Sequence, residues 1–404
     1  MPKSINFDYW IIFITAGVRA MAVSLSSVIL PLYLVAIGFD TVHIALAISC
    51  GLAGCAGGTF IATFWADRVG RRKMLMILGL FMAMGGLYLA CRTNYKIIFM
   101  VTFIGMVNGM GRDRGLGLTV EQAIIPQITI ANDRTKIFAW YNVIVDMGNA
   151  VGALLAFAPT ILRSFLGVPL ISSYQAAWAF YSILCVTSAL IVSKLSKNAE
   201  LQETKPIQRL SASSRGKVTK FAALSAIDSF GGGFLTTSLI SFWFFKRFGV
   251  DESFLGPLFF FVRIANSISH LAAAWLAKRI GLVNTMVFTH LPSSILLITV
   301  PFMPNLPIAT FLFLLRELLV EMDVPTRQSY IVAIVKEQER TIAAGITNLT
   351  RSTAWALAAL LAAPLMGNVA IASPLFIGPG LKIIYDLLLY RSFRHLKPPE
   401  EISG

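Results

Sequence analysis

The sequence predicts an all-α membrane protein, with twelve transmembrane helices arranged as two pseudo-symmetric six-helix bundles. Three observations predict it. The 404 residues are 56% hydrophobic and only 13% charged, with a mean hydropathy of +0.73, whereas soluble chains carry roughly 25% charged residues. Apolar runs of about 20 residues, enough to cross a ~30 Å hydrocarbon core, recur along the whole length. The two halves of the chain also repeat one another.

The spans fall at 9–36, 42–65, 74–91, 97–122, 137–160, 172–193, 219–245, 254–276, 284–303, 307–325, 341–364 and 370–390. A segment crossing lipid must satisfy its own backbone hydrogen bonds, so runs of this length read as helices. Twelve crossings place both termini on one side. The first run is too long for the core of a signal peptide and lacks a small-residue cleavage site, so it is expected to stay as a span. Cys50, Cys55, Cys91 and Cys185 all lie inside spans, which argues against a disulfide framework. Asn348-Leu-Thr350 spells a glycosylation sequon, but it falls within the eleventh span and reads as a chance match.

The net charge of +14 would suit a nucleic-acid partner, but its distribution excludes one. The termini and the loops that join even to odd spans hold 22 of the 34 Lys and Arg residues. The opposite loops hold five (Arg92, Lys96, Arg163, Lys246 and Arg247), and the spans hold seven. This is a positive-inside pattern, and it sets both termini in the cytoplasm. Compact loops and the lack of a targeting segment suggest a bacterial inner (plasma) membrane.

The repeat appears at two offsets. Gly38-Phe-Asp40 aligns with Gly249-Val-Asp251, and Trp65-Ala-Asp-Arg-Val-Gly70 with Leu276-Ala-Lys-Arg-Ile-Gly281, each 211 residues on. Asp133-Arg-Thr135 aligns with Glu339-Arg-Thr341, Gln122 with Gln328 and Asn142 with Asn348, each 206 residues on. Two parallel six-span repeats follow: an N-terminal bundle at 1–193, a polar cytoplasmic linker at 194–218 and a C-terminal bundle at 219–404.

Between spans two and three, Asp67-Arg-Val-Gly-Arg-Arg-Lys73 forms a tight, cation-rich turn. Its spacing resembles the corresponding loop of the major facilitator superfamily of transporters, with Thr63 where those loops usually carry Gly. The resemblance covers nearly the whole chain. It implies that spans 1, 4, 7 and 10 line a central cavity, with spans 2, 5, 8 and 11 beside them. It also implies a gating loop, Asp67, Arg68, Gly70, Arg71 and Arg72, whose Asp latches the cytoplasmic gate against a helix terminus or a cation. The competing reading of this loop is a solvated positive-inside anchor. By the same resemblance, Asp133 and Glu339 are acids that open the spans following them.

Charges inside spans mark function, because each costs at least ~2.5 kcal/mol near the bilayer centre. Arg19, Arg112, Asp113, Arg114, Asp146, Asp228, Arg263, Arg316, Glu317 and Arg351 are of this kind. Glu121, Glu321 and Asp323 lie nearer a cytoplasmic end. With ~1.5 Å of rise per residue, Arg19 sits about 15 Å deep, and Asp146, Asp228 and Arg263 about 14 Å. Six helices thus bring charge to one level, which is expected to form a polar belt serving a substrate or coupling-ion pathway. Depth pairs Arg112 with Asp146 and Asp228 with Arg263; the alternative is that such pairs only tie helices together. Arg112-Asp-Arg-Gly-Leu-Gly117 loosely resembles the span-four motif of proton-coupled drug exporters. A carboxylate that an Arg approaches and leaves can exchange a proton, and Asp146 and Asp228 are the candidates.

Other motifs have simpler readings. Gly231-Gly-Gly233 lacks the strand and the Lys-Ser/Thr of a phosphate cradle, so it reads as close packing or a bend. Gly51, Gly54, Gly57 and Gly58 in span two, with Gly148 and Gly152 in span five, read as small-residue faces. The Gly-Pro signature of antiporters is absent from span five. His270 and His290 read as packing groups, and no metal site or cofactor is expected.

No Walker-type G-x-x-x-x-G-K-[ST] motif occurs, and neither does a nucleophile–base pair. The expected function is therefore secondary-active transport of small organic solutes by rocker-switch alternating access. Proton coupling is expected, efflux is one direction considered, and a monomer is the expected state. Two alternatives stand beside it: an organic-anion or metabolite exchanger using the intramembrane Arg cluster, and a non-transporting sensor or scaffold.

Overall fold

A computed structural model describes residues 7–92, 95–107, 109–111, 115–128, 134–196, 199–200, 210–335 and 339–396; a few side chains within these ranges, that of Asp67 among them, fall outside the description. The described chain is helical throughout. Span one is α1 (Phe7–Ala36), span two α2 (Thr41–Val69) and span three α3 (Arg71–Cys91). Span four is divided into α4 (Tyr95–Ile104) and α5 (Leu116–Ile128), and span five into α6 (Arg134–Leu155) and α7 (Ala158–Leu166). Span six is α8 (Leu170–Val192). Span seven is divided into α9 (Ala212–Gly233) and α10 (Thr237–Phe248). Then come α11 (Glu252–Ile280), α12 (Leu282–Thr299) with a 3₁₀ turn at Val300–Phe302, and a divided span ten, α13 (Leu306–Val320) and α14 (Asp323–Ala333). Spans eleven and twelve are α15 (Arg340–Asn368) and α16 (Pro374–Phe393). Every expected span thus carries helix, and seven described helical segments are long and apolar enough to cross a bilayer.

The repeat is visible in the backbone. α2 and α11 are each 29 residues long and begin and end 211 positions apart. Both follow a glycine of positive φ, Gly38 at +92° and Gly249 at +70°. Both are also preceded by an aspartate whose carboxylate accepts from the first-turn backbone. Asp40 accepts from the N–H of His43 at 2.8 Å, and Asp251 from that of Ser253 at 3.0 Å. The His43 backbone N–H, with its ring nitrogen second, holds the Asp40 carboxyl below the usual carboxylate range. The cap on α2 therefore persists at neutral pH and is lost only as acid protonates Asp40 below its ordinary titration range. Each helix ends at a second such glycine, Gly70 (φ +99°) or Gly281 (φ +87°), which turns the chain directly into the next span.

Two compact units emerge, one formed by Met1–Thr204 with Thr236–Arg263, the other by Lys205–Leu235 with Ile264–Gly404. In the first, glycines bring backbones together. A Cβ at Gly51 or Gly54 of α2 would overlap the carbonyls of Val107 and Phe103, and one at Gly148 or Gly152 of α6 would overlap those of Gly17 and Met21 on α1. Tyr33, Tyr174, Trp178 and Tyr181 fill the space between α1 and α8, and the Tyr33 hydroxyl donates to the Leu89 carbonyl at 2.8 Å. In the second unit, Phe221, Tyr330 and Phe393 form an aromatic triad with ring centroids 5.5–5.8 Å apart. Gly231 and Gly233 meet Gly378 and Trp355 at backbone distance, so this run of glycines serves packing. Phe60, Met84, Phe261, Phe288 and Phe311 are each more than half exposed, as a lipid-facing surface requires.

The two kinds of glycine in span two separate in a test. Gly54→Ala, forced against backbone, is expected to cost about 1–3 kcal/mol through overpacking, whereas Gly57→Ala, with nothing within 4 Å of the added carbon, should be neutral. Thermal unfolding of the purified protein in detergent, comparing the two variants, checks this; equal melting temperatures would refute it.

Candidate functional site

In the first unit Arg19 is a buried charge, 3% exposed. Its two terminal nitrogens donate to the two oxygens of Glu121 on α5 at 2.8 and 2.6 Å. The Tyr141 hydroxyl of α6 donates to the same carboxylate at 2.7 Å. Gly117 makes room for this fork, since a Cβ there would lie 2.6 Å from the guanidinium carbon. A fork-on-carboxylate pair with a third donor satisfies both charges well enough to keep them out of water.

The division of span four leaves carbonyls without helical partners, and α10 and α11 supply them. Ser238 N–H donates to Gly109 O at 2.9 Å, Thr237 Oγ1 to Met110 O at 2.9 Å, and Arg263 Nη2 to Gly111 O at 2.5 Å. Ser238 Oγ donates to Ser27 O of α1 at 2.6 Å. The break therefore exists because the N-terminus of α10 and one guanidinium complete its hydrogen bonds. At another place in this unit, Glu252 at the start of α11 is fully buried. It accepts from Tyr174 Oη at 2.6 Å, from Thr160 Oγ1 at 2.8 Å and from Arg163.

The basic turn is held by an acid that the sequence reading did not single out. Glu200 accepts from the backbone N–H groups of Arg71 and Arg72 at 2.7 and 3.2 Å, where α3 leaves its first donors unpaired. The Arg71 side chain, 5% exposed, donates to Ala123 O at 2.9 Å, and that of Arg72 to Leu195 O at 3.1 Å. Arg68 is exposed.

The second unit gathers a larger cluster. Asp228 on α9 is 3% exposed. Its Oδ1 lies 2.7 Å from Lys382 Nζ on α16, and its Oδ2 lies 3.4 Å from Arg351 on α15 and 3.6 Å from Arg327 on α14. Arg351 Nε also donates to Ser229 Oγ at 2.8 Å, and Arg327 pairs with Asp323 one turn earlier. His290 on α12 extends the chain of contacts, with Nδ1 3.0 Å from Asp386 Oδ1 and Nε2 3.3 Å from Lys382 Nζ. A second, smaller group joins α13 to α11: Glu317 pairs with Arg316 and accepts from Asn266 Nδ2 at 2.7 Å.

Set against the sequence reading, Arg19, Asp228, Arg316 and Glu317 are buried and paired, and Arg351 is half-buried and paired, each within its own unit. Asp228 is met by Lys382, Arg351 and Arg327 within its own unit, and Arg263, in the first unit, donates to Gly111 O and to Thr237 Oγ1. Asp146 is half-buried on α6. Arg112, Asp113 and Arg114 lie outside the described residues, so the expected Arg112–Asp146 pair falls there too; so do the side chain of Asp67 and all of Asp133. Glu339 stands at the start of α15, as expected. Its carboxylate, however, accepts from Ser211 N–H at 2.6 Å and Ser214 Oγ at 2.5 Å, capping α9 rather than its own helix. Lys382, Asp386, Arg327 and Glu252 were missed. Lys382 and Asp386 stand four residues apart in an otherwise apolar run, a signal that could have found them.

Removing one member of a buried pair strands the other. Glu121→Leu is expected to cost about 3–5 kcal/mol, and the double variant Arg19→Met with Glu121→Leu to recover most of it. Thermal or denaturant unfolding of the three proteins measures this. A double variant no more stable than the single one would show that the pair does not account for the loss.

A model of the Major Facilitator Superfamily matches residues 12–378. An uncharacterized membrane protein of Saccharomyces cerevisiae is 24% identical, covering 96% of this chain and 94% of the relative. An uncharacterized MFS-type transporter of Bacillus subtilis, YdgK, is 22% identical over 74% of this chain and 73% of its own. Among solved structures, a D-xylose–proton symporter superposes with a TM-score of 0.75 at 14% identity, covering 96% of this chain and 98% of that one. With its helical spans, its internal repeat and this match over most of its length, the chain belongs to the Major Facilitator Superfamily.

Proposed function

We propose that this membrane protein is a proton-coupled secondary-active transporter of small organic solutes, working by rocker-switch alternating access. The observation that carries the reading is Asp228. One buried carboxylate lies within 4 Å of Lys382, Arg351, Arg327 and His290, and loss or gain of one proton in this cluster shifts the balance among all of them. Membership of a transporter family, with no ATP-binding motif in the sequence, points to an ion or solute gradient as the energy source. The symporter of similar fold is itself coupled to protons, which supports the reading by analogy of fold alone.

Organic-anion exchange is the weaker reading, because Arg19, Arg316 and Arg351 each already face a carboxylate that an anionic solute would have to displace. In this proposal Arg19, Asp146, Asp228, Arg263, Arg316, Glu317 and Arg351 contribute to the pathway, together with any of Arg112, Asp113 and Arg114 that reach it. The halves at 1–193 and 219–404 rock about the linker at 194–218, and the turn from Asp67 to Arg72 gates the cytoplasmic side. The protein acts as a monomer with both termini in the cytoplasm. A plasma membrane is the proposed location, and the matched relatives come from both a yeast and a bacterium.

The test is flux in proteoliposomes under an imposed pH gradient, screened against labelled sugars, nucleosides, organic anions and amphiphilic drugs. Gradient-driven accumulation of at least one solute is expected, and the gradient orientation that drives it separates uptake from efflux. Asp228→Asn should lower that accumulation by about 5- to 150-fold, the span of ordinary coupling free energies, while gradient-free exchange persists. Absence of flux under every gradient would favour a sensor or scaffold. Unchanged accumulation in Asp228→Asn would remove the cluster around Asp228 as the coupling site.

A further inference from the structure

We propose that Nε2 of His290 is the atom that binds the coupling proton, in competition with the Lys382 ammonium; the proposal rests on the proton-coupled reading above and names its site. The imidazole is 1% exposed. Nδ1 faces both oxygens of Asp386, at 3.0 and 3.1 Å. A carboxylate there accepts, so Nδ1 carries the hydrogen. Nε2 faces Lys382 Nζ at 3.3 Å, and an ammonium has donors only, so Nε2 accepts and the ring is neutral in this arrangement. Lys382 also donates to Asp228 Oδ1 at 2.7 Å, and Nε2 lies 3.8 Å from that same oxygen.

A proton and Lys382 are therefore alternatives at one place. When a hydronium gives its proton to Nε2, one O–H bond breaks with its electron pair left on the water, the Nε2–H bond forms, and no covalent bond of the protein breaks. Nε2 changes from acceptor to donor, loses its attraction for the ammonium, and becomes the natural partner of Asp228 Oδ1. Lys382 keeps its protons and moves away.

The surrounding charges favour this exchange. Asp228 on α9, Asp323 and Arg327 on α14, Arg351 on α15, and Lys382, Tyr385 and Asp386 on α16 face this cluster. α13 spends Arg316 and Glu317 on one another and on Asn266. Three carboxylates balance three fixed cations when the imidazole is neutral, so protonation creates a surplus that one cation must relieve. Arg327 is tied to Asp323 and Arg351 to Ser229, which leaves the flexible stem of Lys382 to move. Side-chain exposure falls from 16% at Arg351 and 10% at Lys382 to 1% at His290 and 0% at Asp386, so the proton arrives past the first two.

The chain has four histidines, so nitrogen NMR of the full-length protein in nanodiscs, labelled at histidine, can assign His290 by difference from His290→Gln. As the pH falls from about 9 to about 5, the wild-type ring should pass from hydrogen on Nδ1 alone to hydrogen on both nitrogens. At the pH where that conversion is half complete, Lys382→Met should be wholly doubly protonated. A ring that keeps one state throughout, a neutral form with hydrogen on Nε2, or a conversion that Lys382→Met leaves in place would each overturn the proposal. If Lys382→Met fails to fold, the wild-type tautomer and conversion decide alone. With a solute from the flux screen, gradient-driven accumulation that survives His290→Gln overturns the site while proton coupling stands. A ring that converts as described, in a protein whose flux ignores the pH gradient, overturns the coupling instead.

Discussion

An ionised group can stay inside a bilayer only beside its counter-charge, and this constraint orders the interior of both units. Arg19 is tolerable because Glu121 and Tyr141 answer it, and Asp228 because Lys382, Arg351 and Arg327 do. Each partner comes from a different helix, so the requirement for neutrality also becomes a requirement for which helices meet. Such pairs are weak evidence for stability, since well-packed apolar residues would serve as well or better. Their presence on seven helices is more readily understood as a retained capacity to change charge.

The same logic applies to the backbone. A helix divided within the membrane exposes carbonyls that hydrocarbon cannot satisfy. Spans four, five, seven and ten are divided here, and where span four is interrupted the deficit at Gly109, Met110 and Gly111 is met by Ser238, Thr237 and Arg263. Arg263 thus serves here as a donor to backbone, a role that a search for carboxylate partners does not anticipate. Interruption and capping belong to one feature, because the carbonyls at Gly109, Met110 and Gly111 are answered by donors from α10 and α11.

How much of this was legible in the sequence depended on periodicity and on local chemistry. The spans followed from run length, and the repeat located both ends of α2 and α11, because Gly38, Asp40 and Gly70 recur as Gly249, Asp251 and Gly281 with the same turn and cap geometry. Many of the buried charges, Arg19, Asp228, Arg316 and Glu317 among them, were legible as individuals, since an ion in an apolar run stands out, though Lys382 and Asp386 were passed over. Their partners were not. Depth along a helix gives one coordinate of a side chain, whereas pairing needs the helix's rotation and neighbours too, which no local pattern encodes. Hence Arg19 was found without Glu121, and Asp228 without Lys382. His290 was set aside as a packing group because its partner, Asp386, lies 96 residues away on another helix. The docking of Glu200 and Glu339 onto helix starts was hidden for the same reason: a cap from distant sequence has no spacing rule.

The second unit combines two kinds of contact that behave differently when a proton moves. Just beyond Asp228, Gly231 and Gly233 hold α9 against the backbones of α16 and α15. Contact of that sort depends on shape and does not change with pH. One turn earlier, α9 is bound to the same two helices through Asp228, Lys382 and Arg351, a contact that depends on charge. Under the proposed proton exchange, the charged contact would change while the contact made by the glycines would not. α9 ends beside those glycines and the chain resumes as α10 after Phe234–Thr236, so the contact made by charge and the contact made by shape both lie within the last two turns of α9.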